Sequence, residues 1–196
     1  MRYDPARPAG RLLLTPEDKE APVRVRRLGQ LGLGDRRDPD LDAYADRLAE
    51  VTGAPYAMVN FVGENRQFFA GLHLPAVPPT VVVVVRPDGT TPVLGRELGR
   101  DHGFCPHVVV RRKALVLEDV SDYPRFAGNP VVDEFGVRSY LGAPLIDSTG
   151  TALGTVCVLD VAPRPWGRSG LETIKSSAAE LVARIERREA DGLPLL

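Results

Sequence analysis

Residues 139–160 read SYLGAPLIDSTGTALGTVCVLD, two runs of strand-forming residues around a polar turn that contains glycine. Branched and aromatic side chains suit a pleated, half-buried surface, and the Ser148-Thr149-Gly150 turn sends the chain back, so two adjacent antiparallel strands are expected. Strand alternation places Tyr140 and Leu141 on opposite faces. Gly142 and Gly154 sit where a side chain would obstruct close packing or a nearby pocket, and packing is the more economical reading of both.

Working outward, ALVLED (114–119) reads as a further strand, preceded by a short helix over Phe104–Arg112 with Asp101 placed to satisfy amides near its start. PRFAGNPVVDEFGVR (124–138) holds a turn at Asn129-Pro130 and one or two helical turns anchored by Phe126, Val131, Val132 and Phe135. Upstream, YAMVNFV (56–62) and RQFFAGL (66–72) flank the turn GEN and form a hairpin. An amphipathic helix over Pro39–Val51 presents Leu41, Tyr44, Ala45 and Leu48, with acidic residues in its first turn and Gly53 as its stop. A shorter helix over Pro22–Leu31 carries Val25, Leu28 and Leu31. The run Thr80–Val85 reads as a strand, with Thr91–Leu94 as its return after a PDG turn.

At the other end a helix is expected over Gly170–Glu189. Ser169 and Glu172 fit a capping box, and Leu171, Ile174, Ala178, Leu181 and Ile185 repeat with 3-4-3-4 spacing. That stripe can cover the sheet or meet another helix. Strands and helices in this order describe an α+β domain with terminal helices on one face of an antiparallel sheet, not alternating βαβ units.

Composition narrows the function. Of the 196 residues, 43% are hydrophobic and 26% charged, ordinary for a globular chain. Twenty-five basic against 26 acidic residues give a formal net charge of −1, which argues against a nucleic-acid surface. No apolar run has membrane-spanning length and MRYDPARPAG lacks a signal peptide's apolar stretch, so no membrane is expected and the default compartment is cytoplasmic. The two cysteines, Cys105 and Cys157, form no spacing signature for zinc or a disulfide scaffold and are read as reduced thiols. Residues 1–18 read as a flexible arm, 19–190 as one domain with its flanking helices, and 191–196 as a short tail.

The blocks LDAYADRLAEVTGAPYAMVNFV, ENRQFFAG, FCPHVV, LVLEDVSDYPRFAGNPVV and GVRSYLGAPLIDSTGTALGTVCVLD, in that order, resemble the GAF family of small sensory domains. The resemblance implies a sheet of five or six antiparallel strands, with terminal helices on one face and a loop-covered pocket on the other. It implies a small organic ligand, for which the candidate residues are Asn60, Phe61, Phe69, Phe104, Cys105, His107, Val108, Tyr140 and Cys157. It also implies signalling through the terminal helices to a protein in trans, because about 20 to 35 residues beyond the core at each end leave no room for a fused output module. With the repeating stripe it leads us to expect a homodimer, the alternative being a monomer that buries the stripe.

Cys105-Pro106-His107 resembles the tetrapyrrole attachment site of some members, but proline separates the pair and the remaining signature is missing, so neither bilin nor haem is expected. No phosphate loop, dinucleotide fingerprint, zincin pair or nucleophile elbow occurs. The adjacent Glu118 and Asp119 diverge in a strand and make no catalytic pair, and Arg111–Lys113 reads as a solvated helix end. No cofactor, metal or catalytic residue is therefore assigned. A small-molecule sensor without catalysis is the leading reading, beside a ligand-free protein-interaction scaffold and a thiol-dependent free methionine sulfoxide reductase using the two cysteines.

Overall fold

The computed structural model describes residues 15–76 and 94–192. Six strands form one antiparallel sheet: β1 (Tyr56–Val62), β2 (Arg66–His73), β3 (Glu97–Gly99), β4 (Leu115–Leu117), β5 (Ser139–Ile146) and β6 (Ala152–Asp160), in the spatial order β3-β2-β1-β6-β5-β4. The two expected hairpins supply its four central strands, and β1 joins them by pairing with β6. Expectations over Thr80–Val85 and 91–93 lie outside the described residues.

Helices α1 (Ala21–Gln30), α2 (Pro39–Thr52) and α6 (Gly167–Ala190) belong to one face of the sheet. The second face is covered by α3 (Cys105–Arg111), α4 (Pro124–Ala127), α5 (Pro130–Phe135) and the 3-10 turn Val120–Asp122. Alternation divides the strands cleanly: Val59, Phe61, Leu141, Val156 and Val158 join the first core, while Met58, Phe69, Tyr140 and Cys157 join the second.

On α6, Ile174, Ala178, Leu181 and Ile185 are all buried in the first core. The 3-4-3-4 stripe therefore covers the sheet. The capping-box expectation is corrected, because α6 begins three residues earlier: Glu118 Oε1 accepts from Gly167 N at 2.9 Å, and Glu172 pairs with Arg168. At the start of α2, the Asp38 carboxylate caps the helix by accepting from Asp40 N and Leu41 N.

The shorter helix α1 departs further from its sequence reading. Positions 25, 28 and 31 drift round a 3.6-residue helix, so Val25 is exposed while Ala21, Arg24 and Leu28 face inward. Arg24, with no exposed surface, donates from Nε to the Val62 carbonyl at 2.6 Å and pairs with Asp18. Arg100 adds a hydrogen bond to the Pro16 carbonyl at 2.7 Å, so the described end of the supposed arm is tied to the domain.

Candidate functional site

The second sheet face carries a polar cluster inside an aromatic and aliphatic shell. In the β1–β6 register Asn60 lies opposite Thr155 and Met58 opposite Cys157, which sets two polar side chains beside two sulfurs. Cys157 also faces Gly142 on β5. Here glycine has a specific use: a Cβ at Gly142 would collide with the Tyr140 ring and hydroxyl, so the missing side chain is the space Tyr140 occupies. The Tyr140 hydroxyl thereby reaches Cys105 Sγ at 3.3 Å.

Cys105 arrives from above, as the first residue of α3. Its position is fixed through Asn129, which accepts from Gly103 N at 2.8 Å and donates to the Gly103 carbonyl at 2.9 Å. This corrects the capping role expected of Asp101, which instead pairs with the neighbouring His102, while Phe104 at the N-cap of α3 makes no side-chain cap. The Phe104 ring packs edge-on against Phe126 and Tyr140, with centroids 5.7 and 5.1 Å apart.

Cys105 Sγ and Cys157 Sγ come within 3.6 Å, and Cys157 Sγ lies 3.9 Å from Met58 Sδ. The hydrogen bond shared with the Cys157 thiol pulls the Cys105 pKa below its ordinary value against the opposing effect of burial, with the Tyr140 hydroxyl helping. The same interaction pushes Cys157 up, and burial pushes Tyr140 up. Of the two thiols, these contacts favour the ionised form at Cys105.

Asn60 donates from Nδ2 to Gln67 Oε1 at 2.9 Å, and Gln67 in turn holds the carbonyls of Gly99 and His102. Asn60 Oδ1, Thr155 Oγ1 and His107 Nδ1 are buried with no hydrogen-bond partner. Burial, reinforced by Arg125, Arg111 and Arg100, lowers the His107 pKa to about 4 and keeps its ring neutral near pH 7.

Eight of the nine candidate residues lie on this second face: Asn60, Phe69, Phe104, Cys105, His107, Val108, Tyr140 and Cys157. Phe61 does not; alternation turns it into the helix-covered core, which corrects its selection as a pocket residue. Sequence reasoning missed Thr155 and Gln67. Each stands two residues from a chosen position, Cys157 or Phe69, so strand alternation offered a signal for both. Arg112, expected in a solvated patch, instead donates to Glu20 and to the Gly150 carbonyl.

Among the described residues no three His, Cys, Asp or Glu side chains gather to hold a metal ion, and no helix is long and apolar enough to cross a membrane. A six-stranded antiparallel sheet with terminal helices on one face and a short-helix roof over a buried polar cluster defines a sensory-type α+β domain. The chain belongs to the GAF domain family, whose sequence pattern matches residues 37–185.

A cyclic di-GMP phosphodiesterase of Pseudomonas aeruginosa is 28% identical over 178 residues, covering 87% of this chain but 26% of that protein. The chain therefore spans about a quarter of the length of this curated relative. Among solved structures, the GAF domain of an Acinetobacter phosphoenolpyruvate-protein phosphotransferase aligns with a TM-score of 0.55 at 16% identity, covering 90% of this chain and 99% of that one. A free methionine-R-sulfoxide reductase of Neisseria meningitidis, in complex with its substrate, aligns at 0.57 with 17% identity, covering 91% and 98%. At these identities the structural likeness is one of fold.

Proposed function

We propose that this domain senses a small organic molecule held between α3 and the sheet, and passes its state to other proteins through α1 and α6 without catalysis. The observation that carries the reading is the pair of buried, unpartnered oxygens, Asn60 Oδ1 and Thr155 Oγ1, opposite each other under the α3 roof. Buried polar atoms without partners are costly, and a ligand offering hydrogen-bond donors beside an apolar body satisfies them. Family membership supports the sensory role.

Contacts between the sheet and the helices support this reading. Arg27 of α1 bonds Asp147 in the β5–β6 turn at 2.7 Å and Glu189 of α6 at 2.6 and 2.7 Å, linking the central hairpin to both helices. A ligand shifts that linkage to the extent that it binds two arrangements unequally. The stripe on α6 is spent on the sheet, so a homodimer would use other surfaces, such as α1 with its exposed Val23 and Val25. A groove of about 530 Å³ beside α6, lined by Lys113, Leu171, Lys175 and Val182 among others, suits an output partner in trans.

Native mass spectrometry of gently purified protein, followed by denaturation and identification of released molecules, tests the reading. A reproducible small molecule whose retention falls in Thr155→Val supports it. A bare protein from the natural host, whose melting temperature no member of a metabolite library raises, turns the assignment toward a protein-binding scaffold. The Cys105–Cys157 contact favours one second reading, thiol-dependent reduction of free methionine sulfoxide. Turnover of that substrate with dithiothreitol, lost in Cys105→Ser, would establish it.

A further inference from the structure

We propose that Cys105 and Cys157 form a reversible redox-modification site, a dithiol that a small hydroperoxide converts to an intramolecular disulfide. The inference goes beyond ligand sensing and does not rest on it. Its basis is geometric: the two sulfurs, 52 residues apart in sequence, face each other at 3.6 Å from different layers, one on α3 and one at the centre of β6. They are also the chain's whole complement of cysteine, so neither has another intramolecular partner.

The surroundings assign the two thiols different roles. Tyr140 OH contacts Cys105 Sγ at 3.3 Å, and it can do so only because Gly142 leaves that space open. The hydrogen bonds that Cys105 Sγ shares with the Tyr140 hydroxyl and the Cys157 thiol favour its thiolate, the nucleophilic form. Cys105 is also the more accessible of the two, at 5% exposure against 0% for Cys157. Cys105 is therefore the attacking thiolate and Cys157 the protonated resolving thiol. The closed roof restricts the oxidant to a small one, hydrogen peroxide or a short alkyl hydroperoxide.

The steps balance. The Cys105 thiolate attacks the terminal oxygen of ROOH, the O–O bond breaks, and the departing alkoxide takes a proton from solvent to leave ROH and a Cys105 sulfenic acid. Cys157 sulfur then attacks the sulfenic sulfur, its proton goes to the departing hydroxide, and water leaves as the S–S bond forms. Two thiols lose two electrons and the peroxide gains them; an external dithiol reverses the change by exchange. Closing the sulfur separation from 3.6 Å to about 2.0 Å draws the first turn of α3 toward β6.

The test uses the full chain, reduced and desalted, then exposed to stoichiometric hydrogen peroxide. Samples are quenched with N-ethylmaleimide under denaturing conditions and weighed intact. The expected product is a monomer lighter by two hydrogen atoms that takes up no maleimide, and dithiothreitol restores two reactive thiols. Cys157→Ser should stop at a sulfenic acid that dimedone traps, and Cys105→Ser should not react on the same timescale. Tyr140→Phe, which keeps the ring, should slow the first step about threefold to tenfold. Two maleimide adducts on peroxide-treated wild type overturn the proposal, as does equal reactivity of folded Cys105→Ser. Oxidation by free methionine sulfoxide but not by peroxide also overturns it, and directs the dithiol to the reductase reading instead.

Discussion

Lowering the pH from 7 to 4 should remove a contribution to stability that His107 makes while its ring is neutral. Its ring is 2% exposed, packs edge-on to Phe126 with centroids 5.1 Å apart, and has no partner for Nδ1. Burial and the neighbouring Arg125, Arg111 and Arg100 hold its folded pKa at about 4, against an ordinary value of 6.5. Because the folded value is depressed, the unfolded chain takes up the proton first. Stability is at its full value above pH 6.5, falls through the interval below it, and has lost the whole contribution once the folded ring protonates near pH 4. At 1.36 kcal/mol per pH unit, that interval of about 2.5 units corresponds to about 3 kcal/mol.

Urea denaturation at half-unit steps between pH 7.5 and 4.5, on wild type and His107→Leu, measures this directly. The wild-type unfolding free energy should fall relative to that of His107→Leu as pH falls. His73, beside Asp46, and His102, beside Asp101 and Glu134, are present in both proteins and cancel in the difference. Parallel curves for the two proteins, or a His107 ring resonance titrating near 6.5 in the folded state, would refute the reasoning.

Two further perturbations probe the scaffold. Gly154→Ala places a Cβ into the Asn60 carbonyl and 2.9 Å from the Phe61 Cα, so β1 and β6 must separate; a cost above about 3 kcal/mol is expected, and an unchanged urea midpoint would contradict it. Arg27→Ala removes the link between α1, the β5–β6 turn and α6. Its Asp147 arm, with the Asp147 side chain fully buried, should cost about 1–2 kcal/mol, and faster hydrogen exchange should appear in the last turn of α6.

The hairpins were legible because strand propensity, alternation and turn chemistry agreed over short distances, as in 56–72 and 139–160. The long C-terminal helix was legible for the same reason, through its 3.6-residue period. Its start was not, since Ser169 and Glu172 satisfy a local rule that Gly167 and Glu118 override from outside the segment. Arg24 illustrates the same limit more sharply. A charged residue beside two exposed valines reads as surface, and only Asp18 and the Val62 carbonyl, supplied by other segments, make its burial affordable.

The sequence by itself determined the α+β class, the central hairpins, eight of the nine residues chosen for the second face and the resemblance that the family match bears out. Those features rest on interactions between near neighbours, which periodicity records. Tertiary structure alone decided that α6 lays its stripe on the sheet and that Cys105 meets Cys157 under Tyr140. Each depends on strand register and on how a helix is set over a sheet, and those are fixed by packing between segments dozens of residues apart, where no local pattern in the chain can record them.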